Sequence, residues 1–192
     1  FTYRHFDEAM DKARKAEAKY ASGKRTRALE GLPIGIKDEN FIKGKPTSSG
    51  SLIMKDFVAD KTSVGNERIL RAGGIVHART ATPEFSSAGY TNSRLWGVTR
   101  NPWNPEFTPG GSSGGSAASL ASGTSAIATG SNIGGSIRIP AGTCGLVGYK
   151  PPYGRNSDDP PFNLDFYCHT GPLARNVSDA IVLQNVMCGP HS

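Results

Sequence analysis

The sequence predicts an α/β fold with parallel strands, and three stretches carry that expectation. Leu32-Pro33-Ile34-Gly35-Ile36 is short, apolar and β-branched, as a buried strand is. A helical pattern over about 62–72 stops at Gly73-Gly74, and Ile75-Val76-His77-Ala78 then reads as a second strand. Strand, helix and strand at this spacing favour a parallel pair joined by a crossover helix.

The other elements follow in chain order. Residues 6–21 read as a surface helix, because Phe6, Met10, Ala13 and Ala16 or Glu17 recur at helical spacing, and Glu8–Lys12 and Asp11–Lys15 are spaced as i,i+4 ion pairs. Gly23 and the basic stretch through Arg27 end it. The first strand delivers Lys37-Asp38-Glu39 at its end, and a polar loop follows over 43–50. Thr62 or Ser63 opens the next helix. Residues 84–109 are irregular, with Pro102, Pro105, Pro109, Trp96 and Trp103. A loop marked by Pro151-Pro152 and Pro160-Pro161 leads to a last helix near 177–188. Asn176 caps that helix, Asp179 stands third in it, and Gly189-Pro190 stops it.

Composition narrows the function classes. A chain of 192 residues makes one domain or part of a larger one. No apolar run is long enough for a membrane span. The 24 glycines keep no three-residue period, which excludes collagen, and the 8 Phe, 6 Tyr and 2 Trp argue against disorder. The net charge of +6 invites a nucleic-acid partner, but residues 1–30 already mix both signs and no basic run alternates with stacking aromatics. A mixed, solvated surface is the better expectation. Cys144, Cys168 and Cys188 are odd in number and lack a C-x-x-C pair, which argues against a disulfide framework or a zinc site and fits a cytoplasmic protein. The start at Phe1 has neither an initiator Met nor a signal-peptide core, so the expectation is that the numbering begins inside a longer gene product.

The most informative stretch runs from Phe107 to Ile137, which holds no charged residue. Gly, Ser and Ala fill most of 110–136, and on composition alone that fits a flexible linker. Three details oppose a linker. Apolar residues such as Leu120, Ile127 and Ile133 interrupt the polar ones, and a linker in water gains from charge. Thirdly, Gly110-Gly111-Ser112-Ser113-Gly114-Gly115-Ser116 precedes an Ala-rich helical run, and Gly134-Gly135-Ser136 precedes Ile137-Arg138-Ile139. Two glycine turns each feeding a helix N-terminus suit an oxyanion or a phosphate. No Lys follows the glycines as a P-loop requires, and no strand immediately precedes them as a dinucleotide site requires. The G-x-S-x-G and S-x-x-K nucleophile patterns are absent as well. For a base, His5, His77, His169 and His191 have unremarkable neighbourhoods. Lys37 at a strand end is the other candidate: desolvated it accepts a proton, whereas snorkelling to solvent or pairing with Asp38 makes it structural.

These residues together resemble the amidase signature family of serine amidohydrolases. The matching segments are Gly31-Leu32-Pro33-Ile34-Gly35-Ile36-Lys37-Asp38, Gly97-Val98-Thr99-Arg100-Asn101-Pro102-Trp103-Asn104, residues 109–118 and 128–141, Gly148-Tyr149-Lys150-Pro151 and Gly171-Pro172-Leu173-Ala174-Arg175. The resemblance implies an α/β/α sandwich with a mixed central sheet, incomplete in this chain, with a helical segment over 1–28 and the N-terminal part of one amidase domain over 29–192. It also implies amide hydrolysis without cofactor or metal. Ser136 aligns with the nucleophile, Ser112 with a bridging serine on a cis peptide, and Lys37 with the base. The N–H groups of Ile133, Gly134, Gly135 and Ser136 align with the oxyanion hole, and Ser113, Asn132 and Arg138 are supporting residues. The missing charges fit this chemistry, because a carboxylate near Lys37 would hold it protonated. Asn132 stands where many members carry Asp, but it keeps an acceptor oxygen.

The partner implied is a small-molecule amide, with no direct nucleic-acid contact and with homodimerisation as a possible assembly. A glutaminase A-type subunit of a tRNA-dependent amidotransferase is a related alternative. The loop Asn163-Leu164-Asp165-Phe166-Tyr167-Cys168-His169-Thr170 does not resemble that subunit's, so a stand-alone amidase is preferred. A non-catalytic module is the alternative from another class, expected if the polypeptide ends at Ser192 and exposes apolar edges.

Overall fold

The computed structural model describes residues 1–160 and 162–191. Pro161, from the proline-marked loop, and Ser192, the end of the expected domain, lie outside the described residues. In chain order the elements are α1 (Phe6–Ala21), β1 (Pro33–Lys37), α2 (Val64–Arg71), β2 (Ile75–Thr80), β3 (Asn92–Ser93), β4 (Gly97–Val98), α3 (Gly114–Ala121), β5 (Ile127–Asn132), α4 (Arg138–Cys144), β6 (Val147–Gly148), β7 (His169–Ala174) and α5 (Val177–Met187). Five strands form one mixed sheet in the order β2-β1-β5-β7-β6, and β3 and β4 make a small separate hairpin. β1 runs parallel to β2 and β5, whereas β7 is antiparallel to both β5 and β6.

Alternation along the strands sends side chains to two apolar layers. Ile34, Ile36, Ile127 and Ala174 face Ile69 of α2 and Ala180, Leu183 and Met187 of α5. Ala128 and Leu173, each beside a residue of the first set, face Ala117 and Leu120 of α3 and Ile137, Ala141 and Cys144 in and around α4. The result is the α/β/α sandwich with a mixed central sheet. Extended residues 2–5 cover the outer edge of β2, with Thr2 donating to the Arg79 carbonyl and Arg79 to that of Tyr3.

Ser63 opens α2 from its N-cap position as expected, while its hydroxyl accepts from the Phe41 N–H and Thr62 accepts from the Lys43 N–H. One local expectation needs correction. The loop read as running to Thr170 gives His169 and Thr170 to β7, which pair with Asn132 and Ser131. Gly and Pro are disfavoured inside strands, and the pairing of Gly171 and Pro172 with Gly130 and Thr129 of β5 overrides that local preference. At α5, Asn176 accepts from the Asp179 N–H at 2.9 Å as expected.

The Gly/Ser block owes its composition to packing. The Gly115 N–H donates to the Ala81 carbonyl at 3.1 Å, and Ser116 Oγ donates to the Thr129 carbonyl at 2.8 Å. A Cβ at Gly115 would lie 2.2 Å from the Ala81 nitrogen, so α3 sits directly against backbone. No charged side chain fits in that gap.

Candidate active site

The site forms where β1 and β5, being parallel, bring their carboxyl ends side by side. Lys37 is the last residue of β1, and its N–H donates to Thr129 Oγ1 of β5 at 3.1 Å. Its side chain is fully buried. Nζ lies 2.7 Å from Ser112 Oγ and 2.8 Å from Ser131 Oγ. Burial pulls the amine below its ordinary proton affinity, with the Glu39 carboxylate pulling the other way.

Ser112 follows a cis Gly111–Ser112 peptide and immediately precedes α3, whose N-cap position is Ser113. A Cβ at Gly111 would lie 2.6 Å from the Tyr90 nitrogen, so the turn is pressed against another backbone segment and only glycine fits. Ser113 ties this turn to β5: Ser131 N–H donates to Ser113 Oγ at 3.3 Å, and the Ser113 N–H donates to the Ser136 carbonyl at 3.2 Å.

The second turn leaves β5 at Asn132. Gly135 has φ +134°, a conformation open to glycine but not to larger residues. Asn132 Oδ1 accepts from the Ile137 N–H at 3.1 Å and from Arg138 Nε at 3.3 Å, which fastens the turn from inside. Among the described residues the N–H groups of Ile133, Gly134, Gly135 and Ser136 have no hydrogen-bond partner. Ser112, Ser131, Ile133 and Ser136 line one cavity of ≈ 300 Å³, together with Glu39, Phe41, Met54, Phe85, Ser86 and Cys168. A neighbouring cavity of ≈ 450 Å³ around Tyr153, Asn156 and Asp158 is larger but holds none of the three candidate catalytic residues in its lining.

One expectation fails here. The surroundings of Lys37 are not free of carboxylates, because Glu39 Oε2 lies 3.2 Å from Nζ. The turn after β1 folds the Glu39 N–H back onto the Lys37 carbonyl at 2.8 Å, which returns the carboxylate to the lysine. Asp38 points elsewhere, accepting from the Ser48 N–H and hydroxyl and lying 3.8 Å from buried Arg79. Glu39 also accepts from Ser86 Oγ. Burial alone would raise its proton affinity, but the Lys37 charge and the hydroxyls of Ser131 and Ser86 outweigh burial and keep it below the ordinary carboxylate value.

A buried lysine within hydrogen-bond reach of Ser112 and Ser131 thus stands beside two glycine turns that meet in one cavity. The amidase family model matches residues 1–192. This chain belongs to the amidase signature family. It is 42% identical over 187 residues to the A-type subunit of the glutamyl-tRNA(Gln) amidotransferase of Gloeothece citriformis, covering 95% of this chain and 38% of that protein. Its fold matches a chain from a vestigial protein complex connected with the origins of an s-triazine catabolic enzyme, at 35% identity and TM-score 0.93, covering all of this chain and 42% of that one. It also matches a bacterial aryl acylamidase of the amidase signature family at 34% identity and TM-score 0.90, covering 98% of this chain and 40% of that one. The chain therefore spans about two fifths of the length of these relatives.

Within this family member the fold brings together Lys37, Ser112 and Ser136 with the 133–136 backbone, and it sets Ser113, Asn132 and Arg138 around them as fasteners. Sequence reasoning missed Ser131, Glu39 and Ser86. Ser131 faces Lys37 because β1 and β5 are neighbours, a pairing that no local pattern gives. Glu39 did carry a signal, since it stands two residues from the lysine in a segment that turns at once.

Proposed function

We propose that the protein carrying this chain hydrolyses a carboxylic amide through an acyl-enzyme on Ser136. Neutral Lys37 takes a proton from Ser112 while Ser112 takes one from Ser136, and Ser136 Oγ attacks the amide carbonyl. The N–H groups of Ile133, Gly134, Gly135 and Ser136 receive the developing oxyanion. Ser112 and Lys37 return the proton to the leaving amine, and water then cleaves the ester on Ser136. The observation that carries this reading is the fully buried Lys37 amine, 2.7 Å from Ser112 Oγ. A buried lysine without proton-transfer work would be a costly choice, because burying an ammonium costs several kcal/mol.

The test is Ser136→Ala in the whole protein, assayed on a panel of aryl, peptidyl and small aliphatic amides. Hydrolysis falls to background while the far-ultraviolet circular dichroism is unchanged. Retained hydrolysis removes Ser136 from the mechanism. Identity to the A-type subunit of an amidotransferase favours a second reading, in which the same chemistry releases ammonia for a partner protein. The 163–170 loop and the likeness to an aryl acylamidase favour a stand-alone enzyme. Co-purification of a stable second subunit, with glutamine as the preferred amide, decides for the partner-dependent form.

A further inference from the structure

Resting on the amidase reading above, we infer that Glu39 is a positioning residue for Lys37, aiming the amine lone pair at Ser112 and holding the ammonium that forms when the proton arrives. The geometry carries this directly. Among the described residues Lys37 Nζ has three polar neighbours, Ser112 Oγ at 2.7 Å, Ser131 Oγ at 2.8 Å and Glu39 Oε2 at 3.2 Å. A neutral amine has two N–H bonds and one lone pair. A carboxylate only accepts, so Glu39 takes one N–H, and Ser131 Oγ accepts the other. The lone pair is left for the Ser112 hydroxyl, which is the direction the transfer needs. When Ser112 gives its proton to Nζ and accepts one from Ser136, the new ammonium has three donors for three partners, and its charge meets the carboxylate.

The backbone around Glu39 supports a dedicated role. Phe85 and Ser86 both have positive φ, at 48° and 57°, unusual for residues with side chains, and that turn presents Ser86 Oγ to Glu39. Among the described residues Cys168 is the other titratable group acting on Lys37, and Asp158 and Asp165 act on Cys168 in turn. Its thiol is pushed up to about 12 by burial and by Glu39, Asp158 and Asp165, so it stays neutral in the working range.

The test follows the rate of Ser136 labelling by a fluorophosphonate against pH, in the whole protein, for wild type, Glu39→Gln, Glu39→Ala, Glu39→Asp and Ser86→Ala. Labelling requires neutral Lys37, so the rate rises with pH through the lysine's titration. Glu39 raises that titration point, and Glu39→Gln therefore moves the rise about one pH unit or more toward acid, with a plateau about tenfold lower or less. Glu39→Asp keeps the charge and keeps the rise near its wild-type pH. Ser86→Ala leaves the carboxylate in place and keeps the rise near its wild-type pH, whereas Glu39→Ala, which also removes the charge, serves where Glu39→Gln does not fold. A rise that stays put in Glu39→Gln, or in Glu39→Ala where that variant stands in, overturns the inference even if the rate drops. Wild-type protein that is not labelled at Ser136 removes the amidase reading itself, whereas labelling with an unmoved rise removes only the role of Glu39.

Discussion

The two sides of the site are built by opposite means. The serine side, within residues 107–137, contains no charge and is held by backbone pressed on backbone, as at Gly111 on Tyr90 and Gly115 on Ala81. The base side, at the end of β1 and β2, holds the charged side chains of Lys37, Asp38 and Arg79, all fully buried. Position is set on the first side by close packing, because backbone pressed on backbone leaves even glycine turns few ways to move. Proton affinity is set on the second by burial against partnered charge. The proposed hydroxyl nucleophile needs the first kind of control and the proposed lysine base needs the second, so substitutions on the two sides should fail differently.

The largest effect is expected on the base side. Lys37→Ala should lower kcat/KM for an amide by about 10²–10⁴-fold at neutral pH, and steady-state assays check this. A loss below tenfold would mean that Lys37 is not the base. On the serine side, Gly115→Ala places a Cβ against the Ala81 backbone and pushes α3, with Ser112 before it, off the sheet. Overpacking of that kind costs about 1–3 kcal/mol, so a lowered denaturation midpoint and a lowered kcat should appear together. Asn132→Ala leaves the buried Ile137 N–H without its acceptor, at a cost of about 1–3 kcal/mol, read by urea unfolding. Smallest is Asn176→Ala, remote from both sides. Loss of that helix cap costs about 1 kcal/mol, or roughly 2–4 °C in Tm, and the kinetic constants should not change.

The order of those effects also marks what the sequence could reveal. Asn176 and Asp179 were legible because a cap is a local contact four residues wide. Lys37 was legible as a strand-end lysine, and the glycine turns were legible because their pattern is contiguous. β7 was not, since Gly171-Pro172 reads as a break until Thr129 and Gly130 of β5 pair with it. The resemblance named Lys37, Ser112 and Ser136 as partners, and the structure places Lys37 on Ser112 and both serines on one cavity. Glu39 was misjudged for a specific reason. Charge is absent from the Gly/Ser block, whereas the turn after β1 carries its own carboxylate back to the lysine that precedes it. Ser86 joins that group from a loop whose positive φ values leave no composition signal.

The central claim is that Ser136 is a nucleophile activated through Ser112 by Lys37. Treating the whole protein with a fluorophosphonate and mapping the adduct by peptide mass spectrometry tests it most directly, with Lys37→Ala run in parallel. One adduct on Ser136 is expected, forming about a hundredfold more slowly in Lys37→Ala. An adduct on another residue, or equal rates in the two proteins, would contradict it.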